Sequence, residues 1–136
     1  MANYNTVEII YAFLSLTSTE VQPSVIQTAI DNANAVVLAS APLDDSDRSI
    51  RLEAYRKLAE KFLACGEIFS HYANAFFLSL PPLRILGTSA MQLGADSPNP
   101  LELLDGLHKR SQIYKTEGFF WLAKCKPVSE IQAGIN

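Results

Sequence analysis

Seven residues, Tyr55, Leu58, Phe62, Cys65, Phe69, Tyr72 and Phe76, recur along the chain at alternating steps of three and four. Only an α-helix brings such positions onto one side, because its 3.6-residue turn nearly matches the mean step. The pattern holds for three heptads, so a long helix with a buried stripe dominates whatever this chain folds into. Arg56, Lys57, Glu60, Lys61 and Glu67 lie off the stripe. Beyond Phe62 the apolar face widens through Leu63, Ala73, Phe77 and Leu78, and a helix apolar over more than one stripe needs more than one packing partner. Pro81-Pro82 ends it, because the residue before a proline is driven out of the helical region.

Three further helices follow from the same logic. A short one runs from about Thr6 to Ser15, with Val7, Ile10 and Leu14 on one side and Thr6 as cap. Thr17-Ser18-Thr19-Glu20 reads as a turn, and Pro23 suits the first turn of a second helix. There Ile26, Ala29, Ile30, Ala33 and Val37 form one face. Ala39 to Asp47 is a loop, and Ser46 or Asp47 caps the long third helix. Leu83–Leu86 and Ala90–Leu93, around Gly87-Thr88-Ser89, read as a small β-hairpin. Asn99 as cap and Pro100 in the first turn open a fourth helix. Its Leu101, Leu104, Leu107 and Tyr114 share a face, and Gly118 permits a bend before Phe119-Phe120-Trp121. Pro127 closes the ordered part. The expected fold is mainly α: a bundle of about four helices with one long central helix, a hairpin excursion and an extended tail. Residues 1–127 form the domain, and the tail is Val128–Asn136.

The 136 residues are 49% hydrophobic and 18% charged, enough for one packed core and too little charge for a disordered chain. No apolar run reaches the roughly 20 residues that span a bilayer. No basic group precedes an apolar stretch at the N-terminus, so a signal peptide is not expected. Cys65 and Cys125 read as buried thiols in a reducing cytoplasm, with one disulfide as the alternative. Charge is split along the chain. Residues 1–47 hold six acids and no Lys or Arg, a net of −6, and the remainder holds eleven basic residues against eight acids, a net of +3. The two ends either pair within one molecule or meet between neighbours, acidic face on basic face.

Residues for a catalytic, cofactor or metal site are not found in a working arrangement, so an enzyme is not expected. Glu67 and His71 are four apart on one helix without a second such pair, where a carboxylate-bridged site needs several. Ser89 follows Gly87 by two, yet Met91 stands where a nucleophile elbow requires glycine. The Gly87 and Gly94 region lacks the Gly-Lys-Ser/Thr of a phosphate loop. His108, Lys109, Arg110, Lys115, Lys124 and Lys126 lie near Tyr114 and the Phe119–Trp121 cluster. That mixture can bind nucleic acid, but a pI near 5.3 favours a solvated face or an acidic protein partner.

Taken in order, these elements resemble a known architecture. A short helix and a Thr/Ser/Glu turn lead to the helix Pro23-Ser-Val-Ile-Gln-Thr-Ala-Ile-Asp-Asn-Ala-Asn-Ala. A loop, the long helix containing Arg56-Lys-Leu-Ala-Glu-Lys-Phe-Leu-Ala, the segment Leu93-Gly94-Ala95-Asp96, a last helix and a tail follow. Over roughly residues 6–124 this is similar to the head–tail connector family of tailed bacteriophages, the adaptor that docks beneath the portal. The long aromatic end of the last helix departs from that pattern. The resemblance implies a structural virion protein in the neck, assembled in the host cytoplasm as a homo-oligomeric ring, twelve-fold in the family. Such a ring binds the portal on one side and a stopper or tail component on the other, and DNA passes through its lumen without specific binding. Overall acidity suits a conduit, since a basic lumen would hold passing phosphates.

Large aromatics are the strongest interface anchors. Phe76, Phe77, Phe119, Phe120 and Trp121 are therefore the nominated contacts, with Lys109 and Arg110 beside them and Val128, Ile131 and Ile135 in the tail. The competing reading is a cytoplasmic helical regulator or nucleic-acid-binding module that uses the basic group.

Overall fold

The computed structural model describes residues 3–40, 50–78, 81–86 and 100–125. Helices are the only regular element among them: α1 Val7–Leu14, α2 Pro23–Ser40, α3 Ile50–Asn74, a single turn α4 Leu83–Leu86, and α5 Pro100–Ala123. The helical-bundle expectation holds at this level. The hairpin's first arm does not, because Leu83–Leu86 is helical and buries Ile85 and Leu86. Pro82 supplies the carbonyl that closes this turn with the Leu86 N–H at 3.0 Å. A proline can open a helix but cannot donate to a sheet ladder. Ala90–Leu93, the caps Ser46, Asp47 and Asn99, and Val128–Asn136 lie outside the described residues.

Local chemistry accounts for the first third of the chain. Thr6 caps α1 by accepting from the Ile9 N–H at 3.3 Å, and Glu8 sits in the positive first turn. The helix stops at Ser15, whose left-handed backbone (φ 57°) turns the chain, and the Leu16 N–H then reaches the Tyr11 carbonyl. At the Thr17 turn the Glu20 carboxylate folds back to accept from both the Thr17 N–H and its hydroxyl, each at 3.1 Å. This closes the turn as a capping box does. All five residues of the expected α2 face are buried.

Helix α3 packs against α2 and against α5, and α1 leans on both α2 and α3. In place of one long helix there are two of nearly equal length, 25 residues in α3 and 24 in α5. They run antiparallel: Tyr55 faces Trp121, Leu63 faces Gly118, and Phe69 faces both Tyr114 and Arg110. Because α3 is covered on two sides, its burial departs from the stripe: of the seven, Cys65, Phe69 and Phe76 are buried, while Tyr55, Leu58, Phe62 and Tyr72 are only half-buried. Arg56, Ala59, Glu60, Leu63, Ala64 and Ile68 are buried as well. Arg56 and Glu60, off the predicted stripe, are therefore core residues. Helix α3 also ends at Asn74, and Ala75–Leu78 continue as a turn.

Gly118 lies within an unbroken helix, so no bend forms there. Its role is close approach. A Cβ at Gly118 would stand 2.6 Å from the Leu63 Cγ and 3.0 Å from the Leu63 backbone nitrogen. Gly66, opposite, brings α3 against Lys115 and lets the Ser111 hydroxyl donate to the Gly66 carbonyl at 2.9 Å. Among the described residues no helix is long and apolar enough to cross a membrane.

Candidate functional site

The buried polar groups come first, since buried polarity is costly unless it is paired. Glu60, fully buried, is a hub. It accepts from the backbone N–H groups of Tyr4 (3.2 Å) and Asn5 (2.8 Å), from the Asn5 amide (3.1 Å) and from the Asn34 amide (2.7 Å). The carboxylate thus ties the segment before α1 and the side of α2 to α3. Donors surround it, so its geometry is that of a structural tie. Nothing in the 3.6-residue pattern marks it, although Asn34, one step from Ala33 and Ile30, was the available hint.

The titratable groups considered for chemistry do not converge. His71 is exposed and stands edge-on to Tyr72 at 5.0 Å, while Glu67 pairs with Lys115 at 3.8 Å. No group of three or more His, Cys, Asp or Glu side chains able to hold a metal ion occurs among the described residues. Ser89 lies outside them. Cys65 and Cys125 are free and buried. Burial pushes the Cys65 thiol up to about 12 against a weaker pull from Lys61, and raises that of Cys125 against Arg56. At about pH 8 the Cys65 thiol is then roughly one part in ten thousand thiolate. The expected result is that neither cysteine of the folded protein reacts with iodoacetamide at pH 8, and that both react once urea unfolds it. Labelling of either thiol in the native state contradicts these burials.

The basic group is largely engaged within the molecule. Lys109 pairs with Asp105 at 2.9 Å, Lys115 with Glu67, and the Lys124 amine sits 5.1 Å from the Phe120 ring centre. Arg110, nominated as a contact, is an internal clamp. Its guanidinium donates to the carbonyls of Ile85 (2.7 Å), Leu86 (2.8 Å) and Gly106 (3.3 Å) and lies over the Phe69 ring at 5.2 Å. It thereby caps the end of α4, where helix carbonyls lack partners of their own. Lys126 lies outside the described residues.

What the surface does offer is apolar. Of the nominated aromatics, Phe76 is in the core and Trp121 is half-buried against Tyr55, while Phe119 and Phe120 are about half exposed. Phe77 is 75% exposed and Leu78 beside it 88%. The cause is local: α3 has ended, and the turn Ala75–Leu78 directs Phe76 inward and its two successors outward. Along α5, Leu101 (64%) and Ile113 (65%) are also open to water. Ile113 and Leu78 were not nominated, and Ile113 could have been, since it lies off the face of Leu107 and Tyr114. An aromatic ledge borders it, where Phe13, Phe62 and Tyr114 stand within 6.4 Å of one another and Lys61 covers Phe13 at 4.4 Å. Such an arrangement can bind another protein surface by burying rings. Set beside known proteins, the chain matches no family model, no curated protein and no solved structure.

Proposed function

We propose that this chain is an assembly protein that acts by contact, and specifically a head–tail adaptor of the tailed-phage kind. It forms a ring between the portal and a stopper or tail component around the DNA channel, in the neck of the virion. The observation that carries the reading is the pair Phe77 and Leu78, two large apolar side chains held in water beside the buried Phe76. Each would contribute roughly 1.5–3 kcal/mol if fully covered, and adjacent exposed apolar groups of this size mark interaction surfaces. Phe119 and Phe120 offer a separate apolar surface near the other end of the α3–α5 pair. The tail, with Val128, Ile131 and Ile135, belongs to the same proposal as a second contact with a neighbour.

The basic group gives the nucleic-acid reading little support, because Arg110 is bound inside the fold and the half-buried Lys115 is ion-paired with Glu67. The test is co-purification and light-scattering mass of the full chain with the portal protein of the same genome. Binding is expected, with a mass set by the portal's symmetry. Phe77→Ser should abolish or weaken that complex at least tenfold while the melting temperature stays within about a degree or two, since exposed positions rarely change stability by more than about 0.5 kcal/mol. A chain that ignores the portal at every concentration ends the adaptor reading.

A further inference from the structure

Helix α5 carries a second stripe that turns away from the core of the described residues. Glu102, Gly106, Lys109, Ile113, Glu117, Phe120 and Lys124 succeed one another at steps of four, three, four, four, three and four. At 100° per residue they occupy a sector of about 80°. That sector lies opposite the buried Leu107, Ser111, Gly118 and Leu122. Every member except Gly106 is exposed, and Gly106 is half-buried. A Cβ at Gly106 would meet only the Arg110 guanidinium, at 3.7 Å, so nothing in the described fold crowds that position.

The stripe is self-complementary about Ile113. Glu102 mirrors Lys124, Gly106 mirrors Phe120, and Lys109 mirrors Glu117. When two such helices lie antiparallel, acid faces base at the innermost and at the outermost of the three mirrored pairs. The ring of Phe120 then lies over the bare backbone of Gly106, and the two Ile113 side chains meet on the two-fold axis. A parallel, in-register pair instead sets glutamate on glutamate and lysine on lysine, which is repulsive. The existing Lys109–Asp105 pair does not obstruct this, since both side chains are open to water and an ammonium has three donors. A concavity of about 520 Å³ beside Ile113, lined by Phe62, Tyr114 and Glu117 among others, offers an apolar seat next to the seam.

We propose that a second copy of this chain covers this face, the two molecules pairing through α5 in antiparallel register centred on Ile113. The contact is isologous and closes at two, so it is distinct from the head-to-tail contact of a ring and does not rest on the portal reading. One helix pair buries less than the area of a standard interface, so the dimer is of the weak, micromolar class.

Sedimentation of the full chain in low-salt buffer, over roughly three decades of concentration around 10 µM, tests it. The expected result is a monomer–dimer equilibrium. Lys109→Glu and Glu117→Lys, which each place like charges together twice about the two-fold axis, should each weaken it by about tenfold or more. An equimolar mixture of the two variants restores every acid–base pair and should recover the original affinity, a result that loss of folding could not produce. Independently, oxidised Ile113→Cys should form a covalent dimer, whereas Gln112→Cys, outside the seam, should not. A chain that stays monomeric throughout, a dimer indifferent to both reversals, or a mixture that fails to recover overturns the proposal. Portal binding is read separately through Phe77, so either idea can fail without the other.

Discussion

Replacing Glu60 with alanine lowers the unfolding free energy by about 3–5 kcal/mol, the range for removing one member of a buried charged network. Four donors converge on its two oxygens and lose that acceptor together, the Asn5 amide keeping only its bond to the Lys57 carbonyl. Two of them are backbone N–H groups, which cannot turn away, and a buried donor left unsatisfied costs about 1–3 kcal/mol. Small domains are stable by only about 5–15 kcal/mol, so the variant is marginal. Glu60→Gln keeps the volume but turns an –NH₂ toward some of the same donors, and should cost about 2–3 kcal/mol. Urea unfolding checks both, through a lower midpoint at an unchanged slope. If Glu60→Ala unfolds within 1 kcal/mol of the parent chain, the hub does not tie the N-terminal segment to α3.

Gly118→Val is the second large effect, about 3 kcal/mol destabilising, at the upper end of the range for overpacking a close-packed core. Two influences oppose each other. Glycine inside a helix costs roughly 0.5–1 kcal/mol relative to alanine, so any side chain at 118 gains something locally. Against this, the first added carbon falls 2.6 Å from the branched Cγ of Leu63 and 3.0 Å from the Leu63 backbone nitrogen. Neither is the free end of a flexible side chain, so α3 and α5 must separate. Separation also loosens the Ser111–Gly66 hydrogen bond and the ring contact of Tyr55 with Trp121. Gly118→Ala should show the same sign at about 1–2 kcal/mol. Thermal unfolding of the pair checks the order, Val below Ala below the parent. An alanine variant more stable than the parent would mean that the helices do not approach this closely.

Of the nominated residues, Phe77 and Lys109 are exposed, whereas Phe76 is buried and Arg110 is bound within the fold. Phe77 is exposed because α3 has finished before it, whereas Phe76, one residue earlier, still faces the core. Arg110 was grouped with Lys109 on composition. The two are adjacent in sequence but point about 100° apart on the helix, and only Arg110 reaches α4. Ile113 was missed because the chosen α5 face was the one turned toward α3.

The sequence by itself determined the positions of α1, α2 and α5, the existence of α3 but not where it ends, the capping Thr6, the turn at Thr17–Glu20, and the buried face of α2. Each depends on residues within a turn or two of one another, through periodicity, capping and proline geometry. Only the tertiary structure decided that Arg56 and Glu60 are interior, that Gly118 permits a close crossing, that Arg110 is a clamp and that Leu83–Leu86 is helical. Those outcomes depend on what packs against each helix from segments twenty to sixty residues away, and the period of a single helix carries no record of how many sides will be covered.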